Sequence, residues 1–322
     1  MKKLLLLGCA AAISTCAFAF DKDSDITPKG TIADYTKTEY TITQKFGDYY
    51  RAPKSKFVHT YDNTGKEVEA TEYTNKDSLV DRLVYTYDDG GNLMTVTCLD
   101  GDQKIQWKIS SAYDENGKKV EESEYNVSDQ LVNKTIWKTI NPKQTEESYY
   151  DADGNLLERI ITKLDDKARI TEVCQYDTDG SLEERKAYTY NDADKLSEIG
   201  YYNVNGVMTK RNVYRFDPSY TVTELQTYNK DNKLIERIIY KYDDKGNTVK
   251  ITTYSVVDKF GSTLNELTGI SEYAYTYGQG KPYTPALPVT EEATAGTPET
   301  STANTAAPAA PAPTAAGTTT AN

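Results

Sequence analysis

Tyr176-Asp177-Thr178-Asp179-Gly180-Ser181-Leu182 has near copies beginning at Tyr61, Tyr87, Tyr113, Tyr150 and Tyr242, each followed by Asp and by a Gly four places after the aromatic. Asp at the first position of a type I turn bonds the backbone two residues on. Gly at the fourth takes the left-handed conformation of a G1 bulge. The heptapeptide therefore reads as a turn with a strand on either side.

Working outward, equivalent anchors fall at 61, 73, 87, 99, 113, 125, 140, 150, 164, 176, 190, 202, 216, 228, 242 and 254, mostly Tyr. The gaps alternate 12 and 14, which makes a 26-residue unit with two turns. One deviation occurs, with gaps of 15 and 10 around Ile140. A period held over so many copies marks a repeat architecture. Between turns the residues alternate, as in Ile105, Trp107, Ile109 and Ser111 against Gln106, Lys108 and Ser110, so each element is a strand with two distinct faces. Strands joined by short turns are antiparallel neighbours. The expectation is an all-β chain: one long antiparallel β-meander of about 26-residue two-strand repeats. Small residues (Thr71, Thr97, Ser123, Cys174, Gly200) beside large ones (Tyr85, Tyr188, Tyr214, Tyr240) should bend it into a twisted or spiralling single sheet.

Composition agrees. Among 322 residues there are 27 Tyr against 6 Phe and 2 Trp, and hydrophobic residues are 38%, which suits half-wet sheet faces better than a thick apolar core. A net charge of −12 argues against nucleic acid as a partner.

Residues 1–19 have the form of a secretory signal peptide: Lys2-Lys3, an apolar run, and Ala17-Phe18-Ala19 as the cleavage site. Leu6-Leu7-Gly8-Cys9 looks like a bacterial lipobox, but only about five apolar residues precede Cys9, fewer than an h-region uses. No later apolar run has the length of a membrane span. The mature chain is thus expected to be secreted, periplasmic or otherwise in the cell envelope. Residues 20–56 read as a lead-in with a capping strand near Tyr40–Phe46, interrupted at Pro53. Residues 57–278 are the repeat domain, and the Pro/Ala/Thr-rich 279–322 a disordered tail.

Candidate chemistry is sparse. His59 is the single histidine and reads as a sheet-face residue. Glu158, Glu172, Glu184, Glu198, Glu224 and Glu236 are expected on the anchor face as cross-strand partners for Lys and Arg. They are also what a carbohydrate-active enzyme with paired carboxylates would use. The loops from Asp151 and Asp177 resemble the start of a calcium loop, yet Thr162 and Tyr188 stand where the closing acid belongs. Cys98 and Cys174 fall on opposite faces, several strands apart, which disfavours a disulfide. No catalytic, cofactor-binding or metal residue is assigned.

Tyr-Asp-x-x-Gly-x-Leu, as at Tyr150 to Leu156 and Tyr176 to Leu182, resembles the YD repeats of Rhs-type bacterial proteins over about residues 57–278. That resemblance implies spiralling β-sheets acting at the cell surface. The basic residue usual after the Gly is replaced here by Asn155, Ser181 or Asn92, and no toxin domain follows. MORN-variant repeats are a weaker likeness. The function expected is an exported, non-enzymatic scaffold or adhesin-like binding surface for a protein or glycan, without cofactors.

Overall fold

The computed structural model describes residues 27–282; the expected signal peptide and most of the expected Pro/Ala/Thr-rich tail lie outside the described residues. Eighteen strands and no helix make up the described chain. The first two are long, β1 (Ile32–Lys45) and β2 (Asp48–Tyr61). Then come β3 (Glu67–Thr74), β4 (Leu79–Tyr87), β5 (Leu93–Asp100), β6 (Ile105–Tyr113), β7 (Lys119–Asn126), β8 (Leu131–Asn141) and β9 (Gln144–Asp151). These are followed by β10 (Leu156–Leu164), β11 (Ile170–Tyr176), β12 (Leu182–Tyr190), β13 (Leu196–Asn203), β14 (Met208–Phe216), β15 (Val222–Asn229) and β16 (Leu234–Tyr242). The last two are again long, β17 (Thr248–Lys259) and β18 (Ser262–Tyr277).

Each strand pairs antiparallel with the next, as the meander requires. The expected open, spiralling sheet is not what forms. β1 pairs with β2 on one side and with β18 on the other (Tyr35 opposite His59 and opposite Tyr275), so the sheet closes into an 18-stranded barrel. Closure removes both free edges, whose unpaired N–H and C=O groups would otherwise face water or other chains. Pro53 does not end β2. It lies opposite Tyr40 at a register shift, in a stretch paired only with β1, where its missing N–H is tolerated.

Fourteen of the connections share one hydrogen-bond pattern. In the opening example, Asp177 N–H donates to the Ser181 carbonyl and Gly180 N–H donates back to the Asp177 carbonyl, both at 3.0 Å. The fourth residue is left-handed throughout: Gly in seven turns, and Asp77, Gln103, Asp129, Ala168, Asp194, Tyr220 and Asn232 in the others. Asp and Asn tolerate this conformation, Ala and Tyr less so. The irregular gap near Ile140 has a simple cause: β8 runs on to Asn141 and turns through Pro142-Lys143 alone.

Each of these fourteen turns adds one residue to the outgoing strand. Thr60 pairs with Glu69 but Tyr61 with Glu67, and the same shift recurs from turn to turn. A bulge of this kind flips the face on which later residues lie. Anchors an even number of residues apart therefore alternate between faces. Tyr61, Tyr87, Tyr113, Tyr190 and Tyr242 lie on one, and Tyr73, Leu99, Tyr125, Tyr176, Tyr202 and Tyr228 on the other.

The first of these, the core face, carries both hydrophobic clusters. Phe57, Ala70, Leu83, Cys98 and Trp107 form one, flanked by Tyr85, Val96 and Ile109. Ile32, Tyr35 and Tyr273 form the other across the closing seam, with Tyr61, Ile251 and Tyr275 against it. Tyrosines on this face also tie turns together. The hydroxyls of Tyr87, Tyr113, Tyr190 and Tyr242 each donate to the carbonyl of the residue 20 positions earlier, at 2.6–2.9 Å.

Candidate functional site

The second face carries a ladder that reading the tyrosines alone did not reveal. Lys56, Arg82, Lys108, Lys134, Arg159, Arg185, Arg211 and Arg237 recur at 26-residue steps, with one step of 25. Each lies directly opposite an anchor on the next strand, as Arg185 does Tyr202 and Arg211 Tyr228. The cation stacks on the ring: Arg185 at 4.0 Å from the Tyr202 centroid, Arg211 at 4.4 Å from Tyr228, Arg159 at 5.4 Å from Tyr176. Most of these cations also meet a Glu 13 residues earlier, as in Arg82–Glu69 at 2.7 Å, Arg211–Glu198 at 2.8 Å and Arg237–Glu224 at 2.6 Å. The long side chains lie over small residues beneath. Thr71, Val84, Thr97, Ser123, Ser148 and Cys174 are all buried. At Gly200 the cover is close, because a Cβ there would sit 2.9 Å from the Tyr202 ring.

The six glutamates expected on one face are divided. Glu172, Glu198 and Glu224 belong to the ladder, while Glu158, Glu184 and Glu236 lie on the core face. The parity flip at each turn is the reason. Hydrogen bonds from Lys163 and Arg185 hold the Glu172 carboxyl below the usual range despite partial burial. Arg237 does the same for Glu224. Glu158 is pushed up instead, by burial and by the nearby charge of Glu183.

Cys98 and Cys174 are both buried, lie on opposite faces and are not joined in a disulfide, as the register implied. His59 lies in the core face, its ring stacked on Tyr35 at 4.4 Å and its Nδ1 2.6 Å from Glu67 Oε1. Asp151 Oδ1 accepts the backbone N–H groups of Asp153 and Asn155, and Asp177 that of Asp179, so these carboxylates are used by the turns. Among the described residues no cluster of three or more His, Cys, Asp or Glu has the arrangement of a metal site.

Two clefts open at the barrel end where β1 begins. One, of about 480 Å³, is lined by Tyr214, Phe216, Tyr220 and Tyr242 together with Leu196, Val222, Lys29 and Lys195. The other, of about 510 Å³, lies between Gly30–Ile32, Tyr61, the 63–65 turn, Glu67 and Gln279. Residues 27–31 contribute to both. They are held by Asn247, which accepts the Lys29 N–H at 2.5 Å and donates to the Lys29 carbonyl at 2.9 Å and to the Tyr277 hydroxyl at 2.8 Å. Among the described residues no carboxylate pairs with Lys29 or Lys195. The first cleft thus offers aromatic faces with two lysines beside them, a surface suited to a ring-shaped, hydroxyl-rich or acidic ligand.

Charge stands in mid-strand on both faces: Glu122, Glu147, Lys186 and Lys210 on one, Glu172, Arg185, Glu198 and Arg211 on the other. No helix is long and apolar enough to cross a membrane, and that says nothing of a barrel. A lipid-facing barrel needs an outward apolar band about 25 Å tall. Neither face of this wall carries one.

No protein-family model matches the chain, and no curated protein matches it in sequence. Among solved structures it is similar to a porin-like protein from Bacteroides uniformis, 12% identical with a TM-score of 0.31, over 77% of this chain and 98% of that one. It is also similar to the TcdB2-TccC3 complex with Cdc42 (13% identical, TM-score 0.24), covering 67% of this chain and only 16% of that much longer one. A DUF1329 family protein from Desulfovibrio piger follows at 9% identity and a TM-score of 0.21, over 83% and 92% of the two chains. Such distant likenesses carry nothing about ligand or activity.

Proposed function

We propose that the protein is an exported, non-enzymatic β-barrel that serves as a scaffold and binding surface in the cell envelope, of the YD-repeat kind its turns resemble. The aromatic cleft of Tyr214, Phe216, Tyr220 and Tyr242 with Lys29 and Lys195 carries this reading, because Lys29, from outside the repeats, joins repeat aromatics there. The ladder cations are mostly paired with carboxylates of the same wall, which suits a structural role. Charge on both faces favours a water-soluble barrel over one embedded in lipid. The ligand class is a glycan, stacked on the rings and held at its edge by the lysines.

The test is binding of the purified mature chain to a glycan array, followed by titration of the best ligand. Tyr220→Ala and Lys195→Ala, both at exposed positions, should each weaken binding about tenfold, the loss expected for one buried ring or one charge-assisted contact. Unchanged affinity in both variants would remove the cleft from the proposal. Hydrolysis of the ligand, abolished by changing one Glu, would replace it with the enzyme reading.

A further inference from the structure

The barrel is not level at its other end. Beyond the pair Tyr40–Ile270, β1 continues with β2 alone and β18 with β17 alone, so two hairpins fork away from the rim. β2 runs through residues 48–54 past its last pairing with β3, at Ser55–Thr74. β17 runs through 256–259 past its last with β16, at Glu236–Ser255. A hydrogen bond of 3.4 Å from the Leu267 N–H to the Tyr49 hydroxyl joins the two arms.

The tips repeat one tripeptide, Lys45-Phe46-Gly47 and Lys259-Phe260-Gly261. Both are two-residue turns with two left-handed residues: Phe46 at φ 54° and Gly47 at 91°, Phe260 at 53° and Gly261 at 78°. Asn-Gly or Asp-Gly is the usual choice there, and a bulky aromatic at positive φ is strained. Both rings are wholly in solvent, at 103% and 101% exposure. Tyr49, Tyr50 and Leu264 add further exposed apolar surface on the arms. Neither tip gains anything for the fold from its phenylalanine, yet both carry one. Strain and exposure kept together at a projecting turn point to a contact made outside the molecule.

We infer that the two Lys-Phe-Gly tips are a peripheral anchor for a lipid surface. The tips are convex and chemically alike, which suits one continuous apolar phase rather than two differently shaped protein pockets. A ring flanked by a lysine matches the boundary between acyl chains and phosphate headgroups. Lys259 is paired with Glu266 at 2.5 Å, and the chain as a whole has a charge of −12. The phenylalanines, not charge, therefore carry the contact, which makes it weak and reversible.

The experiment is co-sedimentation of the full mature chain with phosphatidylcholine vesicles at millimolar lipid, at about 0.15 M and about 0.5 M salt. Binding should persist at the higher salt. Phe46→Asn with Phe260→Asn should reduce it at least tenfold, since each ring contributes about that much or more. Asn accepts the left-handed turn, so this variant should melt no lower than the native chain, separating lost binding from lost fold. Single Phe46→Trp and Phe260→Trp variants should shift their emission to the blue on vesicles. A native chain left in the supernatant, equal sedimentation of the double variant, or water-like emission from bound tryptophans would each overturn the inference. A native chain that ignores vesicles while an envelope protein shields both tips would reassign them to a protein pocket.

Discussion

Replacing Tyr35 by Ala tests whether the sheet is closed. Tyr35 is 3% exposed and stands at the seam, stacked on His59 of β2 and tilted against Tyr275 and Tyr273 of β18, at 5.6 and 6.5 Å. Removing a buried ring of this size costs about 3–5 kcal/mol, and each aromatic pair contributes about 0.5–1.5 kcal/mol of its own. About 4 kcal/mol is expected for the closed barrel. On an open ribbon β1 would be an edge without Tyr273 and Tyr275, and the same change would cost about 1–2 kcal/mol. Urea titration followed by circular dichroism measures the difference through the shift in midpoint. The sharper form is a double-mutant cycle with Tyr273→Ala, since the two residues are 238 positions apart and meet only if β1 and β18 pair. A coupling of about 0.5 kcal/mol or more is expected. Zero coupling would refute closure, whatever the single values.

Three further outcomes follow from features described above. Ala168→Gly, at φ 58°, should raise stability by about 0.5–1 kcal/mol, the relief of a left-handed Ala less the entropy Gly adds to the unfolded chain; thermal melting checks this. Arg211→Ala should cost about 1–2 kcal/mol by removing the Tyr228 stack and the Glu198 pair, and Arg211→Lys should recover only part of it; denaturant titration reads both. For Glu272, partial burial raises the carboxyl, but hydrogen bonds from Arg51, Lys250 and Tyr40 prevail and bring it to about 2. Its stabilisation should be complete above the ordinary carboxylate value and fade as pH falls through about 2. Glu72 and Asp81 behave oppositely: burial and neighbouring carboxylates raise both, so their cost at neutral pH disappears on acidification. The low-pH decline in melting between pH 7 and 2 should therefore be shallower in Arg51→Ala, and Asp81→Asn should gain stability at pH 7.

Strands and turns were legible because their causes are local. Asp at the head of a turn and alternation within nine residues act over distances a sequence displays directly. Face assignment was not, although the G1 bulge was foreseen. The anchors sit at even spacings, and the single extra residue at turns such as Glu67–Glu69 reverses parity each time. Lys and Arg were foreseen as partners of the glutamates, but the 26-residue step of Lys56, Arg82, Lys108 and onward, and its place opposite the aromatic anchors, was missed. Closure lay beyond reach because Tyr35 and Tyr275 carry no mark that names each other; only a structure brings residues so far apart into register. The cleft depends on the same long-range geometry, with Lys29 brought to the lining it shares with Tyr214 by the segment before β1, which Asn247 holds.

The seam also sets an order of events. Thr276 Oγ1 donates to Asp34 Oδ1 across 242 positions, whereas the ladder elsewhere joins strands adjacent in the chain. Hairpins can form as the chain emerges, each within its own few dozen residues, and at low entropic cost. The first strand must wait for the last. Until β18 arrives, β1 exposes a fully formed edge, and a second chain offering its own β18 is a competing partner. Slow docking of β18 should thus yield chains that join end to end instead of closing on themselves.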